Sequence, residues 1–169
     1  MTTTHAAGSD SYVLFELAGA TYALRSDDIV QLEMVGEPTP VPNAPSWVAG
    51  VVSVRGQVIP AVSLRERFGF ERTPHDLRSR LVVVRTGGRT VGLIVDSARE
   101  FARILPDEIG PLPEGVAGLS GRYLRGIAQK GERILLVIDV PELLFTEAAA
   151  ESAAQDDAPP APDSVAASS

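Results

Sequence analysis

Few residues of this 169-residue chain are spaced for covalent or metal chemistry. It has two histidines, His5 and His75, and no cysteine. Thiol nucleophiles, zinc–thiolate sites, disulfides and iron–sulfur clusters are therefore excluded. His5 lies in the small, polar start of the chain and His75 beside Thr73-Pro74, neither with a neighbour suited to a triad or a metal site. Asp27-Asp28 reads as the acidic opening of a helical turn, Asp96 as a strand end, and Asp107-Glu108 as a turn after Pro106. Ser53, Ser63 and Ser120 lack the G-x-S-x-G elbow of a serine nucleophile. The glycines around 84–88 and 110–121 suit hairpins and loops better than phosphate cradles. No catalytic residue, metal site or cofactor is expected. Arg55 is the residue with unspent chemistry. It sits with Gly56 between two valine-rich runs, 51–54 and 58–62. A charge beside apolar surface needs a partner. Three readings stand: an exposed turn arginine, an ion pair with an adjacent strand, or a recognition residue at an interface, where Arg is enriched.

The elements that must hold such a turn are short strands. Apolar residues alternate over 12–17, 21–24 and 31–35, with a turn at Gly19-Ala20 and a capped helical turn at 26–29. Residues 37–45 contain four prolines and form an irregular connector, and Trp47 rides on a short helical turn at 46–49. The hairpin around Arg55-Gly56 is followed by a helical turn over 64–68. Runs at 81–85 and 90–95 flank Gly87-Gly88, runs at 123–129 and 134–139 flank residues 130–133, and 101–105 reads as one more strand. Pro141 opens a terminal helix. Nine or ten short strands suit barrels or sandwiches. Two small barrels sharing apolar surface fit this chain better than one large sheet.

Composition bounds the rest. Apolar residues make up 44%, enough for a core. The net charge is −7, yet residues 11–146 carry 15 bases against 16 acids, and the excess lies mostly in five acids from Glu147 onward. Nucleic-acid binding has no compositional support. The start lacks the basic and apolar regions of a signal peptide, and no apolar run approaches a membrane span. Residues 1–10 and 148–169 are expected to be unstructured, leaving 11–147 as the folded part.

Taken together, the motifs resemble the CheW family, the adaptor of bacterial chemosensory arrays. The strongest piece is G-V-V-S-V-R-G-Q-V-I-P-A-V-S-L-R-E-R-F-G at 50–69. It is similar to the family's G-x-x-N-L-R-G-x-[VI]-[VIL]-P-V-[VI]-D-L-R-x-x-[FL]-G. Residues 12–17 with 22–24, 41–45, 91–96, 123–127 and 135–144 resemble further family segments in the same order. The resemblance implies an all-β fold of two intertwined five-stranded SH3-like β-barrels with short helical turns and a short C-terminal helix. It implies a non-enzymatic, cytoplasmic adaptor, monomeric when free. The adaptor bridges a CheA-type histidine kinase regulatory domain to the cytoplasmic tip of methyl-accepting chemoreceptors, without inserting into the membrane. Carried over, a receptor-binding groove between the barrels includes Ile29, Gln31, Arg55, Val91 and Leu93. Kinase contact involves Gly50, Gly56 and Val58.

The chain departs from the family pattern at four places. Ser53 stands for Asn and Ser63 for Asp. Gln31 stands where many members place the Glu that faces the turn arginine, and Glu33, two residues on, is a possible substitute partner. Gly110 and Gly115 fall in a loop that members fill with bulkier residues and use in ring-forming kinase contacts. These departures admit an alternative: a specialised relative that scaffolds a non-flagellar chemosensory pathway.

Overall fold

The computed structural model describes residues 10–113 and 120–144. Its strands are β1 (Ser11–Leu17), β2 (Ala20–Arg25), β3 (Ile29–Met34), β4 (Val48–Val54), β5 (Gln57–Ser63), β6 (Arg80–Thr86), β7 (Arg89–Val95), β8 (Ser97–Arg103), β9 (Ile109–Gly110), β10 (Leu124–Lys130) and β11 (Arg133–Ile138). One short helix, α1 (Leu64–Arg67), follows β5, and a helical stretch over 140–144 ends the described part.

Two sheets result, ordered β8-β1-β2-β11-β10-β9 and β3-β6-β7-β5-β4. The fold is the expected pair of SH3-like units; the first gains a sixth strand, the two-residue β9. Both ends of the chain build the first sheet and its middle builds the second. Parallel pairings, β11 with β2 and β5 with β7, join segments far apart in sequence.

Strands with two apolar faces explain this layout. In β1, Tyr12 and Leu14 enter a small core inside the first unit, while Val13, Phe15 and Leu17 enter a large core between the sheets. In β6, Leu81 and Val83 fill the second unit, and Val82 and Val84 face the shared core. Side chains alternate across a strand, so one run of apolar residues serves two cores at once. Burying each such Val or Leu stabilises the fold by about 1.5–3 kcal/mol.

Tight turns set the registers. Ala18 and Gly19, Arg55 and Gly56, and Gly87 and Gly88 all have positive φ, as a two-residue hairpin turn of mirror type requires. The first turn lies one residue earlier than expected. Residues 46–49 are not helical. Val48 N–H donates to Pro45 O, and the Trp47 carbonyl accepts from Ser63 N–H at 2.8 Å, which draws the backbone into the ladder with β5. The strand expected at 101–105 begins at Ser97, because β8 is an exposed edge whose charged residues hide its period.

Two devices tie the units together. A row of rings runs from Phe15, stacked on Tyr22 at 5.4 Å, through a tilted contact of Tyr22 with Phe68 at 5.7 Å, to Tyr123, stacked on Phe68 at 5.7 Å. The Arg67 guanidinium lies 4.6 Å from Trp47 and 4.9 Å from Tyr123. Asp96 is the second device. Its carboxylate accepts from Ala18 N–H at 3.0 Å in the first unit and from Arg65 Nε at 3.1 Å in the second. The terminal helix is capped by Asp139, which accepts from Glu142 N–H at 3.0 Å and starts the helix ahead of Pro141. Leu143 and Leu144 then close the shared core.

Candidate functional site

The β4–β5 turn holds Arg55, the residue around which the candidate site is built. Register pairs Val54 with Gln57, so Arg55 and Gly56 are the two turn residues. Arg55 has φ 53°. Left-handed backbone costs a side-chain-bearing residue about 1–2 kcal/mol, and Asn or Gly would lower that cost. Arg55 is exposed, and among the described residues it makes no hydrogen bond or ion pair. Of the three readings open for it, the internal ion pair is thereby removed.

The expected substitute partner is otherwise engaged. Glu33 accepts a close hydrogen bond from Gln31 Nε2. The Gln31 Oε1 is buried without a hydrogen-bond partner among the described residues. Gln31 and Arg55 line one cleft of about 90 Å³ with Val30, Val54, Gln57, Ile59, Val83, Arg85 and Thr90. All nine residues belong to the second unit, so the cleft lies within that unit and not between the two. Arg85 Nε donates to Thr90 Oγ1 at 3.2 Å. No carboxylate lines the cleft.

The remaining expected groove residues lie elsewhere. Val91 is 1% and Leu93 0% exposed, both in the shared core. This corrects their assignment: a side chain without accessible surface offers nothing to a partner. Ile29 is partly buried and packs against the same core. Arg85 was missed because nothing in the local sequence sets it beside Arg55. The Gly87-Gly88 hairpin does fix its pairing with Thr90, and that register is the one signal that pointed to its place.

The expected kinase contacts divide in the same way. Val58 is 66% exposed and Gly56 is exposed. Val58 lines a groove of about 380 Å³ with Met34, Glu37, Thr39, Val52 and Leu81, between the edge strands β3 and β4. Gly50 is buried, which corrects its expected surface role. Its φ is +144°, and a Cβ there would lie 2.2 Å from the Thr39 carbonyl oxygen. Thr39 and Val51 exchange backbone hydrogen bonds of 2.9 Å each. Gly50 therefore lets the proline-rich connector lie on β4.

The departures at serine have separate outcomes. Ser63 caps α1, its hydroxyl accepting from Glu66 N–H at 3.4 Å, a role that Asp fills equally well. Ser53 is exposed and opposite Val58. Gly110 pairs in β9 against Ile127, and Gly115 lies outside the described residues. His75 is exposed in a polar loop, and His5 also lies outside the described residues. No group of three or more His, Asp or Glu that could hold a metal occurs among the described residues, and no helix there is long and apolar enough to cross a membrane.

Comparison with known proteins gives one consistent result. The family model described as CheW-like domain matches residues 11–148. The chemotaxis protein CheW of Klebsiella aerogenes is 28% identical over 136 residues, covering 80% of this chain and 82% of that protein. The chemotaxis protein CheW of Bacillus subtilis is 28% identical and covers 88% of this chain and 95% of its own length. Protein FrzA of Myxococcus xanthus is 27% identical over 118 residues, 70% of this chain and 73% of that one. Among solved structures, the scaffolding protein TtCheW from Thermoanaerobacter tengcongensis superposes with a TM-score of 0.71 at 29% identity, over 77% of this chain and 88% of its own.

Proposed function

The chain belongs to the CheW-like domain family, and from that premise we propose that it is a non-enzymatic adaptor. It couples the cytoplasmic tip of chemoreceptors to the regulatory domain of a CheA-type histidine kinase. Arg55 carries the reading. An exposed arginine held at positive φ, with no internal partner, is a strained choice for a turn that Asn would fill better. Strain kept at an exposed position motivates a binding role. The receptor face is the cleft of Gln31 and Arg55. The kinase face is the groove of Val58 beside Gly56. The adaptor works in the cytoplasm, as a monomer when free, and joins membrane-associated arrays through its partners.

Two faces on one molecule suit an array. Each contact can be weak, because many linked contacts raise effective concentration. Receptor state is transmitted when it changes the affinity of the adaptor for one kinase arrangement over another, a coupling free energy. The replacement of the usual carboxylate by Gln31 favours a second version of this reading, an adaptor dedicated to a non-flagellar chemosensory pathway.

The test is co-purification of kinase and receptor from native lysate with wild type and with Arg55→Asn. Wild type is expected to retain both. Arg55→Asn is expected to lose the receptor while gaining about 0.5–1 kcal/mol of stability, since Asn relieves the turn. If wild type retains neither protein, the adaptor reading fails. Equal retention of receptor by the variant removes Arg55 from the receptor face.

A further inference from the structure

We infer that the cleft between Arg55 and Arg85 receives a carboxylate side chain supplied by the receptor-type partner. The inference rests on the adaptor reading and names the chemistry that its receptor face takes. Both arginines line the same cleft and no acid lines it, although the whole chain is acidic at −7. The one nearby carboxylate of β3, Glu33, is held by the Gln31 amide. Arg85 spends one N–H on the neutral Thr90 hydroxyl and keeps the rest of its fork. An arginine fork matches a carboxylate through parallel charge-assisted hydrogen bonds, and a second arginine on the same cleft adds to the attraction for that charge.

Size limits the occupant. About 90 Å³ is well below the roughly 300–1,000 Å³ of small-molecule sites. It suits a single Glu or Asp side chain of a protein. Val30, 48% exposed at the cleft, adds apolar surface for the aliphatic part of that side chain or its neighbour. The carboxylate thus comes in trans, and binding to the receptor depends on its acidic positions and on salt.

The experiment measures binding of the purified cytoplasmic signalling fragment of the receptor recovered in the co-purification above, with the kinase regulatory domain as a second readout. Wild type, Arg55→Glu and Arg85→Glu are compared, after thermal melts confirm that each variant is folded. Each reversal is expected to weaken receptor binding about tenfold or more and to leave kinase binding within about twofold, as for a charge outside the buried contact. One Glu→Lys or Asp→Lys change in the receptor fragment should restore binding to Arg85→Glu. Receptor binding unchanged by both reversals overturns the inference and leaves the adaptor reading standing. So does an equal loss toward the kinase, or the failure of every acidic position to rescue. If wild type binds no receptor fragment, both readings fall together.

Discussion

Asp28 shows how a single residue links position to pH response. It closes the turn after β2. Burial pushes its carboxyl above the usual range, against the nearby Arg25, and Asp27 adds to the rise. The folded state therefore holds this proton more tightly than the unfolded chain. Stability contributed by the protonated form is full below the unfolded value and is lost as pH rises through the folded one. Asp28→Asn removes that loss. Its melting temperature is expected to exceed wild type at pH 7, with the difference vanishing as pH falls below the ordinary carboxylate range. Paired melts at pH 3.5 and 7 test this, and a difference independent of pH would refute it. Arg55 belongs to the same scale with the opposite logic. Its strain does not stabilise the turn, which is why the Asn variant separates binding from folding.

At the scale of elements, β4 carries the sharpest constraint. The register of β4 against β5 shifts between Val48 and Gly50, and the connector presses its Thr39 carbonyl onto that bulge. Gly50→Ala is expected to cost about 3 kcal/mol, because a methyl group there meets backbone and the φ suits glycine. Chemical denaturation measures it; a cost under about 0.5 kcal/mol, within the range of ordinary surface changes, would show that the connector lifts away easily. Sequence gave clear notice of the hairpins, since Gly56, Gly88 and their neighbours sit between apolar runs. It gave only the far end of β8, whose Arg99, Glu100 and exposed Phe101 break the alternation and hide its start at Ser97. Val91 and Leu93 entered the expected groove through the family resemblance, which carries over a position but not its exposure; in β7 both side chains are turned into the shared core. For Arg85 the sequence showed only its pairing with Thr90; its place on the Arg55 cleft arises from strand order across the second sheet.

For the whole molecule, the row of rings is the joint on which both faces depend. Phe68 follows α1 and touches Tyr22 of the first sheet and Tyr123 before β10. It is 5% exposed in the shared core. Phe68→Ala is expected to lower stability by about 3–5 kcal/mol, while Phe68→Leu loses less. If the two units unfold as one body, fluorescence of Trp47, beside the second unit, and far-ultraviolet dichroism will still report a single transition in the Leu variant. Two separate transitions would show that the shared core does not make them cooperative.

The split of the first sheet between both chain ends also has a temporal side. Tyr22 pairs with Leu136 across the parallel β2–β11 seam. At about 5–20 residues per second, on the order of ten seconds of synthesis separate those partners. The second sheet, made of consecutive strands, can close in the meantime. The hairpin of β1 and β2 then waits at the ribosome with apolar residues on both faces and both edges open, the β1 edge until β8 emerges and the β2 edge until β11 does. Nascent-chain protection by a chaperone would matter most for that hairpin, and a stop codon before β11 would strand it permanently.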